Sequence, residues 1–366
     1  MTFDDLTHRL TVVIQSKKTH MGYYRFAQRL IWLIPHLRDA ADSTEESAQH
    51  TAGLRFYESR HGTWGSARNV LFQLQALARI YRKTHRGDLE TFDRLKSDFK
   101  ALEDALGRID YFDELAAQAE ELGAETAVVD HLRRRYTSEL KTLTEYLLSS
   151  EWIQWDGAAC GSPALGILLT DLEAVVWRRA SKDRAKILKF FNKELQKVVT
   201  KSTDLDFENL EDGVHEFRRT ARWISIYAQS LGGLMRLAGQ DSLAADLSEY
   251  HTAVVVNAAY TKYPVDPREA DCIDFDASLI YAFNWLISTI GDIKDDGQLE
   301  EALMISMVDA GIASEEEAHT RVSALVGSDR VTLEEIPERV AGLVRRFVDV
   351  HQVPQRLQET LAAQTS

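Results

Sequence analysis

The sequence predicts an all-α protein folded as a duplicated helical bundle, and three observations carry that expectation. Six prolines in 366 residues, with abundant Ala, Leu, Glu, Lys and Arg, suit long helices. Nearly every segment repeats its apolar residues with a helical period, not with the alternation of a strand. Two stretches also repeat one another: Leu106-Gly107-Arg108-Ile109-Asp110 and Ile290-Gly291-Asp292-Ile293-Lys294-Asp295. Each reads as the end of a long amphipathic helix, and each follows, at some distance, a helix that opens with a basic turn.

Taken in order, residues 1–60 form an N-terminal helical extension, in which Pro35 is expected to bend or end a helix. Ser43 with Glu46 has capping-box spacing and predicts the next helix start. Residues 61–156 make the first half of the duplication. Behind Trp152 and Trp155, a Gly/Ala/Ser/Pro cluster from Asp156 to Pro163 marks the joint between halves. Residues 164–305 make the second half, interrupted at 263–276 by an inserted loop with Pro264, Pro267 and clustered acids. Beyond about residue 305 the chain is acidic, with Glu315-Glu316-Glu317 and Glu334-Glu335. Ser314 with Glu317 and Thr332 with Glu335 predict two more helix starts there. Residues 306–366 therefore read as an acidic, solvated helical appendage.

Charge and composition narrow the function. Lys and Arg number 43 against 57 Asp and Glu, a net charge of −14. That excess argues against wholesale binding to nucleic acid or an anionic membrane, yet leaves room for a local basic groove. The two cysteines, Cys160 and Cys272, cannot build a disulfide framework and suit buried thiols in a reducing compartment. The start, Met1-Thr2-Phe3-Asp4-Asp5, is acidic where a signal peptide would be basic. No apolar run approaches the roughly 18 residues of a membrane span. The expectation is a cytoplasmic helical protein with no membrane partner.

Two successive helices carry cationic faces. With Lys182 as origin and about 100° per residue, Lys186, Lys189, Lys193 and Lys197 share one narrow arc. Ile187, Leu188, Phe191, Leu195 and Val198 fall opposite. On the next helix His215, Arg218 and Arg222 share a polar arc, with Trp223, Ile224, Tyr227, Leu231 and Leu234 on the buried side. A lysine stripe by itself is ordinarily a solvated surface. Two in succession within a strongly acidic chain point to an anion-binding groove, where Lys supplies point charges and Arg a planar fork for oxygen pairs.

These residues resemble the CHAD domain (conserved histidine α-helical domain) family. Its members have two related helical halves, each opening with a His-x-x-Arg-x-x-x-Arg/Lys helix and later carrying a Leu-Gly-x-x-x-Asp-like turn. In this chain His215, Arg218 and Arg222 fit the signature, and Ile290, Gly291 and Asp295 fit the turn. The first half is degenerate. Arg68 is kept, continuing to Arg79, but Gly65 stands in place of the His and Phe72 in place of the second Arg. Asp113 fits the last acid of the first turn, and Asp110 replaces a usual Arg. The segment Arg25-Phe26-Ala27-Gln28-Arg29 competes with Arg68 for the signature role, and spacing to Leu106-Gly107 favours Arg68. The resemblance spans roughly residues 61 to 305, with an insertion around 240 to 275. It implies non-enzymatic binding of inorganic polyphosphate or another polyanion in a basic cavity. The implied contacts are Lys182, Lys186, Lys189, Lys193, Lys197, His215, Arg218 and Arg222, with weaker help from Arg68 and Arg79. Some members are fused or linked to triphosphate-hydrolysing enzymes, which implies such an enzyme or other protein partner for this chain. The alternative is a scaffold or adaptor that keeps the fold and binds protein partners instead of polyphosphate.

Other constellations give catalysis no foothold. His20, His61, His85, His131, His215 and His251 form no metal-ligand pair at helical spacing. Asp271, Asp274 and Asp276 lack the glycine and terminal Glu of an EF-hand loop and read as a solvated acidic loop. Asp183 and Glu194 lie about 100° and 120° from Lys182, outside the lysine arc, and Glu216 lies outside the arginine arc. No Walker loop, nucleophile elbow or dinucleotide turn is present. The expectation is no enzyme, no cofactor and no metal.

Overall fold

The computed structural model describes residues 1–366 except 42–43, 86, 158, 264, 270, 328–330, 333 and 365–366, and except the side chains of 211, 259 and 296. The chain is mostly helical, 75% helix and 5% strand, so the all-α expectation holds. It divides into two compact units, Met1–Asp183 and Arg184–Ser366. No helix among the described residues is long and apolar enough to cross a membrane.

The first unit starts with α1 (Phe3–Gln15), α2 (Met21–Ala41) and α3 (Glu45–Glu58). Thr2 caps α1 in a capping box with Asp5 that the sequence reading missed. Thr44 caps α3, its side chain accepting the Ser47 N–H at 3.1 Å, while Ser43 lies outside the described residues. Pro35 does not end the helix, because α2 runs through it to Ala41. Leu33, Ile34 and Leu37 around it are buried, and that packing keeps the helix together where its hydrogen-bond ladder is broken. A short hairpin, β1 (Arg60–His61) and β2 (Gly65–Ser66), leads into α4 (Ala67–Thr84), α5 (Leu89–Glu121) and α6 (Thr126–Ser149). In α5 the residues Phe92, Leu95, Phe99, Leu102, Leu106 and Ile109 are all buried. Their alternating spacing of three and four makes one apolar stripe, and α5 packs along α4 on one side and α6 on another. Residues 1–60 are helical and pack into this unit: α2 packs on α1, α3 and α4, and α3 packs on α6.

The expected joint at 156–163 is a hairpin inside this unit, β3 (Gln154–Asp156) with β4 (Ala159–Gly161), followed by α7 (Pro163–Ala174). The change of unit comes later, within α8 (Ala180–Asp204).

The second unit continues with a π-helical turn, Leu210–His215, running into α9 (Glu216–Ser230). Parallel strands β5 (Met235–Ala238) and β6 (Ile273–Asp276) bracket α10 (Ala253–Asn257). The segment expected to be an inserted loop thus ends in a paired strand, and Pro264 in it lies outside the described residues. Asp276 then caps α11 (Ala277–Asp309), accepting the N–H groups of Ser278 and Leu279. The start of α11 is buried all round, through Ala277, Leu279, Ile280, Tyr281, Ala282 and Phe283, as befits a central helix. α12 (Glu315–Val326), α13 (Ile336–Arg345) and α14 (Val353–Ala362) follow. Ser314 and Glu317 form the predicted capping box. Thr332 N–H donates to Glu335 at 3.2 Å just before α13.

Residues 306–366 are structurally part of this unit. α12, α13 and α14 pack on α11, and α14 also on β6. Val322, Ile336, Val340, Phe347, Leu357 and Leu361 are buried. The acidic residues that suggested a solvated appendage occupy only the outer faces of these helices.

Candidate functional site

In the second unit, α8 buries Ile187, Leu188, Phe191, Leu195 and Val198. It leaves Lys186, Lys189, Lys193 and Lys197 exposed, with Lys182 exposed on its first turn. Phe190 and Phe191 pack on Tyr227 of α9 with ring centroids 4.9 and 6.5 Å apart. At the other end Lys201 pairs with Glu216. The end of α8 therefore meets the start of α9, and the two helices run antiparallel. Phe190, Lys201 and Phe191 lie roughly 80–180° round α8 from Lys182, at about 100° per residue. Contact with α9 is thus made beside the lysine arc, and the arc itself faces solvent.

Acids enter this surface at two points. Lys197 pairs with Glu194 at 2.7 Å, although the wheel leaves Glu194 outside the arc. Glu216 takes both Lys201 and Arg219. Burial pushes the Glu216 carboxyl up, but these two cations hold it below the usual carboxylate range.

The signature residues follow from the turn before α9. Asn209 accepts the Asp212 N–H at 2.8 Å and starts the π-helical turn, so His215 sits where π geometry passes into α. His215, Arg218 and Arg222 are half-buried. Arg218 points to α11: its Nε donates to the Ile287 carbonyl at 3.0 Å, and its Nη2 lies where a side chain at 291 would be. A Cβ on Gly291 would come within 2.5 Å of that nitrogen. Gly291 is therefore not at a helix end, as expected, but inside the 33-residue α11, where it forms a notch for a guanidinium. Among the described residues no carboxylate is hydrogen-bonded or ion-paired to Arg218. Burial lowers its pKa, and Asp295 and Asp292 offset that only through space.

The first unit has the same notch with different neighbours. Gly107 lies inside the 33-residue α5, again not at its end, and a Cβ there would come within 2.7 Å of Nη2 of Arg68 on α4. Here the cation is answered: Nε donates to Glu103 at 3.0 Å and Nη1 to Asp110 at 2.5 Å. Burial alone would lower the Arg68 pKa, but the two carboxylates raise it.

No family model, curated protein or solved structure matches this chain.

The remaining candidates have structural partners. Asp113 accepts from Tyr57 at 3.1 Å and from Arg133 at 3.0 Å. Arg25 is buried, donating to Tyr81 at 2.6 Å and Asp183 at 2.8 Å, and Arg29 donates to Gln73 at 3.2 Å. This α2 pair is thus tied into the core of the first unit. Arg79 is half-buried on α4. Asp274 is held bidentately by Arg236 at 2.7 and 3.0 Å, so the acidic loop is a strand edge with a helix cap. Cys160 and Cys272 are free and half-buried, more open than the expected buried thiols. Among the described residues no group of three or more His, Cys, Asp or Glu side chains gathers as a metal site would require.

Sequence reasoning found both arginines and both glycines but missed Glu103 and the Ile287 carbonyl. Both lie four residues before the glycine, one helical turn away and on its face. That spacing was the available signal.

Proposed function

We propose that this chain binds inorganic polyphosphate or a similar polyanion through a CHAD-type site in the second unit and does not turn it over. The observation that carries this reading is Arg218. It is half-buried, fixed by the Ile287 carbonyl in the Gly291 notch, and has no carboxylate partner among the described residues. A guanidinium so held can give its remaining N–H donors to phosphate oxygens. The exposed arc from Lys186 to Lys197 supplies further charge over about 17 Å of helix at 1.5 Å per residue. Arg218 lies about 180° round α9 from Tyr227, the residue that meets α8, so the two cationic surfaces are separate. Only a chain long enough to span them gains from both over orthophosphate. The matching notches, each on a 33-residue helix, support two related halves.

The reading excludes catalysis because phosphoryl transfer needs stabilised transition-state charge, usually from metals held by carboxylates. Glu194 and Glu216, the acids that enter the lysine surface, are paired with lysine and arginine, and Asp295, which acts on Arg218 through space, is paired with Lys294. The test is titration with long-chain polyphosphate of the parent and of a variant with Arg218→Ala and Arg222→Ala. The variant should bind at least tenfold more weakly, with helicity and melting temperature nearly unchanged. Polyphosphate, ATP or triphosphate incubated with Mg²⁺ or Mn²⁺ should release no phosphate above background. Equal binding by parent and variant, or metal-dependent release, would overturn the proposal.

A further inference from the structure

We infer that the first unit contains a second oxyanion site of the same build, kept closed by two of the chain's own carboxylates, Glu103 and Asp110. The inference rests on the reading of Arg218 as an anion-binding group, and it comes from comparing the two notches atom by atom.

In both, an arginine from an earlier helix of the same unit lies over a mid-helix glycine. In both, Nε donates at 3.0 Å to an acceptor contributed by the residue four before that glycine. In the second unit the acceptor is the backbone carbonyl of Ile287; in the first it is the side chain of Glu103. Three residues after the glycine the chemistry reverses. The first unit has Asp110, which takes Nη1 of Arg68 at 2.5 Å. The second has Lys294, a cation, itself paired with Asp295 at 2.7 Å. The neighbouring Arg108 is no substitute for an open cation, since Glu139 accepts from it at 2.9 Å.

Glu103 and Asp110 therefore do for Arg68 what two oxygens of a phosphate would do: they accept from its Nε edge and from one terminal nitrogen. A charged ligand approaching Arg68 would have to displace a carboxylate or bind beside it, and like-charge repulsion opposes both. The place for a ligand is present. A cavity of about 330 Å³ opens over the notch, lined by Arg68, Glu103, Asp104, Gly107, Arg108 and Tyr111. The ligand class is a tetrahedral oxyanion such as the terminal phosphate of a chain. Binding is confined to the second unit because the first carries its anion covalently.

Glu103→Gln with Asp110→Asn tests this, since both changes keep size and acceptor oxygens while removing charge. Calorimetric titration with tripolyphosphate should give one site in the parent and two in the double variant, the new one within about tenfold of the first. Adding Arg68→Ala should return the count to one. Should the double variant lose helicity, Asp110→Asn alone, which keeps the Glu103 pair and removes the charge opposite Nη1, decides by the same count. One site in a folded variant, or weaker parental binding on Arg68→Ala, would overturn the inference. A parent that binds nothing while the variant binds through Arg68 would sink the proposed function of Arg218 and leave this inference standing.

Discussion

Glycine in mid-helix costs about 1 kcal/mol relative to alanine, so Gly107 and Gly291 must be kept for something other than helix formation. Each makes space for an arginine, at 2.7 and 2.5 Å from where its Cβ would be, but the two arginines hold different partners. Alanine at 107 should push Arg68 off Glu103 and Asp110, and hydrogen bonds to charged groups are worth about 1.5–3 kcal/mol each. The helix gain does not cover that loss, so Gly107→Ala should lower stability by about 2–5 kcal/mol in urea unfolding. Alanine at 291 displaces Arg218 from the Ile287 carbonyl, one bond where Arg68 loses two, so stability should fall by no more than about 2 kcal/mol while polyphosphate affinity falls. A Gly107→Ala protein more stable than its parent would contradict this account. The repeat of these glycines was visible in the sequence; their role was not. A glycine between an apolar residue and a polar run looks like a C-cap, and only the arginine from another helix shows it to be a notch. Glu103 was hidden for the same reason, its partner being 35 residues away in the chain.

Elements were legible where periodicity alone decides them and illegible where tertiary packing does. The faces of α8 and α9 and the Ser314 capping box agree with the sequence because each depends on residues within a few turns. The continuation of α2 through Pro35, and of α5 and α11 past their glycines, depends on neighbours that no local rule contains. The C-terminal helices show the cost of reading charge as exposure. Leu357 and Leu361 on α14 are fully buried, and Gln364 beyond them hydrogen-bonds both the N–H and the carbonyl of Asp274 on β6, at 2.7 Å each. Leu361→Ala should therefore destabilise the second unit by about 2–5 kcal/mol, as truncation of a core leucine does. An appendage would lose almost nothing. Denaturant unfolding of this variant separates the two, and a midpoint equal to the parent's would return α14 to the status of a tail.

For the molecule as a whole, the net charge of −14 and a polyanionic ligand have the same sign. This sets an unusual expectation for binding kinetics. Beyond about 10 Å, the Debye length at 0.1 M salt, an approaching polyphosphate meets the summed field of the protein and is repelled. Within that distance it meets the exposed lysines of α8 and Arg218, and is held. Added salt screens the repulsion that slows encounter and also weakens the contacts that oppose departure, helped by release of counterions from the chain. The association rate should therefore stay level or rise between 50 and 300 mM KCl, while the dissociation rate rises steeply and the overall affinity falls. Stopped-flow mixing with fluorescently end-labelled polyphosphate measures both rates. In electrostatically steered complexes of opposite charge it is the association rate that falls with salt. If that pattern is found here, the basic surface governs the field at encounter distance despite the acidic total. The α8 lysines would then act as an attractor from afar, not as a grip at contact.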